Sequence, residues 1–252
     1  MNSKVPALSA FFPAYNDAES LPSLIEKTFA VLTRHAEQFE VIVVNDGSQD
    51  GTTGVLRQLC ARFGPGLRVV EHSQNRGYGA ALRSGFEAAL YDLVFYTDGD
   101  SQYDVDELPL LLERLEPEVG LVNGYKLRRQ DPWHRIWIGA IYNRLARLVF
   151  GIRLRDIDCD FRLIRRGLLQ QLHLESNTGT ICIELVRKAE LTQWGVAEVG
   201  VHHFPRQYGR SQFFRMRSLL RTLRQLVALY VTLAPRHPPW PRHRKACERV
   251  VS

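Results

Sequence analysis

A chain of 252 residues, 45% hydrophobic and 24% charged, is long enough to bury a core and too ordinary in composition for a fibrous or disordered protein. Its four cysteines, Cys60, Cys159, Cys182 and Cys247, have neither CxxC pairing nor zinc spacing, which excludes a disulfide scaffold and a zinc module and reads as free thiols in a reducing compartment. The net charge of +6 is uneven: 22 Lys and Arg stand against 26 Asp and Glu through Gly200, but 11 against one, Glu248, from Val201 onward, so the near-neutral body carries a basic tail suited to an anionic partner.

Strand and helix patterns alternate along the first half. Residues 7–12 form an apolar run ending at Pro13, and 21–35 have helical spacing. A β-branched run at 40–44 stops at Asn45-Asp46-Gly47-Ser48; a helix at 52–63 stops at Gly64-Pro65-Gly66. Then follow a strand at 67–71, a helix at 77–90, a strand at 93–97, a helix at 106–115 and an extended run at 119–123. Strands separated by helices of this length predict βαβ units, a mostly parallel sheet and an α/β fold. After Gly124 the regularity weakens. A helix is expected at 133–150, an acidic irregular stretch turning extended at 156–164, a helix at 181–191, a late strand at 196–203 and a helix at 213–233. Four prolines between Pro235 and Pro241 end regular structure. No secretory leader is read in the first residues. No run reaches the ~18 apolar residues of a membrane span.

The chemistry is concentrated after the strand at 93–97. Asp98-Gly99-Asp100 puts two carboxylates at the carboxyl end of a buried strand, where open α/β sheets bind ligands. Such oxygens, with Gln102 nearby, suit Mg²⁺ or Mn²⁺ and a diphosphate. Alone the pair also reads as a solvated turn, like Asp104/Asp106. Context upstream raises it: Pro13-Ala14-Tyr15-Asn16-Asp17 and Asn45-Asp46-Gly47-Ser48 are strand ends opening on the same sheet edge. There Tyr15 can stack on a base and Asp46 can accept from a base N–H. Gly77-x-Gly79 lacks the third glycine of a dinucleotide fingerprint. The spacing Asp156/Asp158/Asp160 fails as an EF-hand loop, with Phe161 and Gly167 where Gly and Glu are needed.

The segments Pro13–Asp17, Val44–Thr52, Asn75–Ala81 and Thr97–Tyr103, in this order, resemble glycosyltransferase family 2, and Asp98-Gly99-Asp100-Ser101-Gln102 resembles its dolichol-phosphate mannose synthase branch. The resemblance implies a GT-A (Rossmann-like) catalytic domain over 1–211. Its nucleotide-sugar half would span 1–124 and its acceptor half 125–211. It implies a metal (Mg²⁺ or Mn²⁺) on Asp98, Asp100 and Gln102, and donor contacts at Pro13, Tyr15, Asp17, Asp46 and Gly99. It also implies inversion at the anomeric carbon. Asp17, Tyr78 and Asp160 depart from the residues commonest at these places. Similarity continues through 123–129, Arg135, Asn143, 158–166 and 206–211, where arginines of that branch grip the phosphate of a polyprenyl-phosphate acceptor. This is carried to Arg129, Arg135 and Arg206, with Arg128 as the alternative to Arg129 and with Asp100 joining them in the catalytic set. Guanidinium groups suit phosphate.

The expected activity is therefore transfer of a hexose, mannose or glucose, from a nucleotide sugar such as GDP-mannose or UDP-glucose to a polyprenyl phosphate. A phosphate acceptor is already an anion and needs no general base. A hydroxyl acceptor is the alternative, and it would call on Asp158, Asp160 or Glu184. A nucleotidyltransferase is a remoter reading, since its glycine-rich first loop is missing. The segment 212–252 is expected to be a basic amphipathic helix and Pro-rich tail. Met216, Leu219, Leu220, Leu223, Leu226, Val227 and Tyr230 form one face and Arg217, Arg221 and Arg224 the other. That helix suits an anionic membrane surface, or packing on the domain. A peripheral place on the cytoplasmic face of a membrane, directly or through a membrane partner, follows. Nucleic acid is not expected as a partner, because the tail's apolar residues follow helical spacing rather than a basic aromatic sheet face.

Overall fold

The computed structural model describes residues 4–127, 133–206 and 216–233. Seven strands form one sheet in the order β3-β2-β1-β4-β6-β5-β7. They are β1 (Val5–Ala14), β2 (Ala36–Asn45), β3 (Leu67–Glu71), β4 (Leu93–Thr97), β5 (Val119–Lys126), β6 (Phe161–Arg165) and β7 (Gly195–Val201). All neighbours are parallel except β6, which runs antiparallel to both β4 and β5. The helices are α1 (Leu21–His35), α2 (Thr52–Phe63), α3 (Tyr78–Ala88), α4 (Leu108–Leu112), α5 (Trp133–Phe150), α6 (Arg166–Leu169), α7 (Ile181–Glu190) and α8 (Met216–Leu233).

The central strands read as continuous apolar runs because both sheet faces are covered. Leu8, Ala10 and Phe12 of β1 join Val41, Val43 and Phe95 on one face. Phe11 joins Ile42, Val44, Val94 and Tyr96 on the other. This alternation is the period of a strand.

Two sequence expectations change. The helix expected at 106–115 is only the five residues of α4, preceded by a 3-10 turn at Val105–Glu107. The Asp104 side chain accepts from Asp106 N and sets that turn, and Pro109 lies in the first turn of α4. The extended residues after the acidic stretch form the antiparallel strand β6, wedged between β4 and β5. That strand divides the parallel set β3-β2-β1-β4 from the β5–β7 pair. It places Asp160 beside the end of β4.

The C-terminal helix contacts α5 and α7. Leu226 and Leu233 pack against the second core cluster, and Leu229 is part of it. Val227 and Tyr230, expected on the same apolar face, are instead exposed.

Candidate active site

The carboxyl ends of β1, β2 and β4 meet at one edge, and their turns are knitted together. Gly99 N donates to Pro13 O at 3.2 Å, and Asp46 N donates to Ala14 O at 2.9 Å. Ser20 Oγ donates to Gly99 O at 2.7 Å. A Cβ on Gly99 would stand 2.9 Å from Pro13 O, so only glycine permits this approach. Asn16 takes a left-handed φ of 60°, tolerated by its short amide. Its Oδ1 accepts from Gln49 N at 2.8 Å, and its N donates to Ser48 Oγ at 3.0 Å. Pro13, Tyr15, Asp17, Asp46 and Gly99 are thus gathered along one edge.

Asp17 Oδ2 accepts from Tyr15 N at 2.9 Å. Burial, only partly offset by that hydrogen bond, raises its carboxyl to about 6. Asp46 is almost fully enclosed. Its Oδ1 contacts His72 Nδ1 at 2.6 Å and accepts from Arg76 N at 2.9 Å, while Oδ2 accepts from Gly77 N at 2.9 Å. A proton on His72 Nδ1 serves this carboxylate and leaves Nε2 to accept from Ser84 Oγ at 2.9 Å. In this arrangement Asp46 holds the 73–77 loop. Beside it lies a cleft of about 340 Å³, lined among others by Asn45, Ser48, Glu71, His72 and Asn75.

Asp98 and Asp100 stand at the end of β4. Tyr78 OH donates to Asp98 Oδ1 at 2.8 Å. Desolvation first, then the carboxylates of Asp160 and Asp100, push the Asp98 carboxyl well above the usual range. Asp100 is also raised by desolvation, opposed by the Arg206 guanidinium and by Gln102 N. Arg206 Nη2 donates to Asp100 Oδ2. Ser101, with a φ of 58°, turns the chain between the second carboxylate and Gln102. Gln102 Nε2 donates to Phe204 O at 3.0 Å and Phe204 N to Gln102 O at 2.8 Å. The Asp98–Gln102 turn is therefore zipped to the segment carrying Arg206.

Among the described residues no three His, Cys, Asp or Glu side chains converge on one point as a ready-made cage. Two carboxylates with an amide oxygen still fit Mg²⁺ or Mn²⁺, which are held by one or two protein carboxylates with water and substrate phosphates completing the shell. The mutual repulsion of Asp98, Asp100 and Asp160 would favour a cation there.

A buried polar network supports this end from the side of β5 and β6. Arg162, with no exposed surface, donates from Nε to Asn123 Oδ1 at 2.6 Å, and its Nη atoms reach Ile157 O, Tyr96 OH and Asp160 Oδ1. Asn143 Nδ2 donates to Asp156 Oδ1 at 3.1 Å, anchoring α5 to the acidic loop. Glu184 accepts from the N–H groups of Glu175 and Ser176 and from Lys188, and these partners hold its carboxyl below the usual range. It braces the 175–180 loop. That loop abuts the start of α3. Gly79 N donates to Asn177 O at 3.1 Å, and Gly77, at a φ of +100°, has no room for a Cβ beside Asn177 O. From α8, Gln225 Oε1 accepts from the N–H groups of Asn177 and Thr178 and from the Thr178 and Thr180 hydroxyls.

Of the arginines carried over from the resemblance, Arg206 reaches the carboxylates. Arg129 lies outside the described residues, as does the side chain of Arg135 in the first turn of α5. Sequence reasoning did not assign His72, Tyr78, Arg162 or Gln225. His72 directly follows β3 at the same sheet edge, which is a signal available in the sequence. Tyr78 sits inside Gly77-x-Gly79, next to the turn it serves.

The sequence model described as glycosyl transferase family 2 matches residues 9–172. The undecaprenyl-phosphate 4-deoxy-4-formamido-L-arabinose transferase of Aeromonas hydrophila is 30% identical over 231 residues, covering 92% of this chain and 70% of that protein. The protein of the same name from Enterobacter sp. is 31% identical, covering 89% and 68%. Among solved structures, glucosyl-3-phosphoglycerate synthase of Mycobacterium tuberculosis, in complex with Mn²⁺, uridine diphosphate and glucosyl-3-phosphoglycerate, superposes with a TM-score of 0.68 at 20% identity, covering 91% of this chain and 80% of that one. This likeness is one of fold, and it agrees with the GT-A architecture expected from the sequence.

Proposed function

The chain belongs to glycosyl transferase family 2 and is a glycosyltransferase; from that premise we propose that it moves a sugar from a nucleotide sugar to a polyprenyl phosphate, with inversion and with the help of Mg²⁺ or Mn²⁺. The observation that carries this reading is the pair Asp98 and Asp100, poorly neutralised at the strand-end crevice, with Arg206 reaching across to Asp100. The named acceptor of the similar enzymes is the same class of lipid phosphate.

Asp98, Asp100 and the Gln102 amide oxygen would hold the cation, which supplies charge neutralisation for the departing diphosphate. The turns at 13–17 and 45–49, with the cleft beside Asp46, bind and orient the nucleotide. Tyr78 fixes the Asp98 carboxylate through its hydroxyl. Arg206 supplies a cation for the acceptor phosphate, and Arg129 and Arg135 are proposed for the same anion. The bond from the anomeric carbon to the donor diphosphate breaks, and one to an oxygen of the lipid phosphate forms. No proton has to leave that nucleophile, so no base is required. The role of Glu184 in bracing a loop is consistent with this.

The domain division at 211 belongs to the same reading, with 1–124 serving the donor and 125–211 the acceptor. A polyprenyl phosphate places the reaction at a membrane surface, and the cytoplasmic face is where nucleotide sugars are made. Among the described residues no helix is long and apolar enough to cross a membrane.

The test is an incubation of the full chain with labelled donor, Mg²⁺ or Mn²⁺ and a short polyprenyl phosphate, followed by organic extraction. GDP-mannose, UDP-glucose and a nucleotide-linked 4-deoxy-4-formamido-L-arabinose are run in parallel. Label in the organic phase that depends on metal and is lost in Asp100→Ala is the expected result, and it names the sugar. Nucleotide release without organic label would replace the lipid phosphate with a hydroxyl acceptor, and Asp160 would be the first base to test.

A further inference from the structure

One carboxylate of the crevice, Asp160, has no task in transfer to a phosphate, which needs no base. The antiparallel ladder of β4 and β6 pairs Tyr96 with Arg162 and Thr97 with Phe161. One step further, the same register sets Asp98 opposite Asp160, on the sheet face of Tyr96 and Arg162. Like charges directly opposite on neighbouring strands are destabilising, so the pairing calls for a reason.

The protein engages only one oxygen of Asp160. Tyr96 OH at 3.4 Å, Arg162 Nη1 at 3.3 Å and Cys182 Sγ at 3.2 Å all donate to Oδ1. Among the described residues no hydrogen bond reaches Oδ2, and the side chain keeps 14% of its surface exposed. Arg162 does not depend on Asp160 for its anchorage, since Nε holds Asn123 Oδ1 at 2.6 Å and the Nη atoms reach Ile157 O and Tyr96 OH. The buried guanidinium instead supplies the counter-charge that lets a carboxylate stand there. A carboxylate backed by a buried cation and open on one oxygen is a strong acceptor for a ligand's hydrogen.

The order of the sheet identifies that ligand. Strands β2, β1, β4 and β6 are successive neighbours. The turns proposed for the nucleotide follow β1 and β2, the residues proposed for the cation follow β4, and Asp160 precedes β6 at the same edge. Neighbouring strands stand about 4.8 Å apart. A nucleotide sugar laid across these strand ends, with its diphosphate at Asp98 and Asp100, brings its sugar over the next position, Asp160. The three carboxylates do not converge on one point, which leaves Asp160 outside the pair that would hold the cation. We propose that Asp160 is the specificity-determining residue for the transferred sugar: its Oδ2 accepts a hydrogen from a sugar hydroxyl and selects donors that present a hydroxyl there. The assignment rests on the donor reading above and is independent of the acceptor.

The experiment is calorimetric titration of the full chain, with Mn²⁺ and without acceptor. The ligands are UDP-glucose, GDP-mannose, a nucleotide-linked 4-deoxy-4-formamido-L-arabinose and the parent nucleotides; the sugar nucleotide that the wild type binds most tightly is the probe. Asp160→Asn keeps an oxygen for Arg162 and removes the charge. It weakens the probe by at least about tenfold, and leaves the parent nucleotide and Mn²⁺ at their wild-type affinities. One deoxy analogue of the probe suffers the same loss against the wild type, and against the variant it binds as the probe does. No loss, or an equal loss for probe and parent nucleotide, overturns the proposal. A weakened Mn²⁺ affinity also overturns it, since Asp160 would then be a metal ligand. Should the variant fail to melt cooperatively, the wild type decides alone: a deoxy series with no member weakened tenfold overturns the assignment. A wild type that binds no nucleotide rejects the donor reading and this assignment with it. The expected selective loss, with no organic label in the transfer assay, rejects only the lipid-phosphate acceptor.

Discussion

Asp46 and Asp98 occupy the same local context, each at a strand end and each followed by glycine, yet the protein treats them in opposite ways. Asp46 receives the His72 ring and two backbone N–H groups, all within 2.9 Å. Asp98 receives one hydroxyl and faces the carboxylates of Asp100 and Asp160. A carboxylate saturated by its own chain stabilises the fold. One left among like charges costs stability and is free to hold a ligand. The local motif does not separate these cases; the neighbours delivered by β3, α3 and β6 do.

The largest effect is expected at the open end. Asp98→Asn should lower turnover by at least about 10²-fold, the scale on which one electrostatic contact to a reacting group is felt. Its melting temperature, measured without added metal, should stay level or rise, because the amide still accepts from Tyr78 and one repelling charge is gone. A clear fall in melting temperature would break the comparison.

Asp46→Asn should do the reverse to stability. An amide oxygen serves only part of three donors, and a buried donor without an acceptor costs about 1–3 kcal/mol. Urea denaturation should show that loss, equal to about 2–4 °C per kcal/mol for a chain of this size.

A smaller effect comes from Asp17. Its folded carboxyl titrates at about 6 against an ordinary 3.8, so the native state holds an extra proton between those values. The stability this contributes is full below the lower value and is lost as pH rises through about 6. Melting curves across that window should drift downward in the wild type, and the drift should shrink in Asp17→Asn. An equal drift in the variant would assign it to other groups.

The smallest is Ser84→Ala, which removes the second partner of His72. The expected cost is about 1 kcal/mol. It should be smaller when Asp46→Asn is already present, and a double-mutant cycle reads that coupling.

The parallel half was legible because its strands are buried on both faces and end in turn residues; α1, α2, β3 and β4 fall where periodicity placed them. Strand β2 runs longer than its β-branched run, because its polar residues at 37 and 38 sit on an exposed entry to the sheet. Strand β6 was readable as extended but not as antiparallel. Five residues, Phe161–Arg165, carry no directional signal, and their pairing is set by β4 and β5 from far along the chain. At the site, the carboxylates and glycines were visible as strand-end residues. What the sequence does not display is how each charge is balanced, since His72 reaches Asp46 across 26 positions, and Arg206 reaches Asp100 across 106. The amphipathic period of α8 was visible, but not which side packs. Gln225 and Leu229 face the body because the 177–180 loop and α7 are there to receive them.

The Gln225 contact changes what counts as a removable part. The catalytic domain is proposed to end at residue 211, and a chimera builder would cut there to exchange tails between related enzymes. The bonds to Asn177, Thr178 and Thr180 cross that cut, so a transplanted helix without a matching acceptor would leave two amides and two hydroxyls without their partner next to the Gly77 turn. Tail and loop therefore form one unit of inheritance, and a successful graft has to carry both sides of the seam.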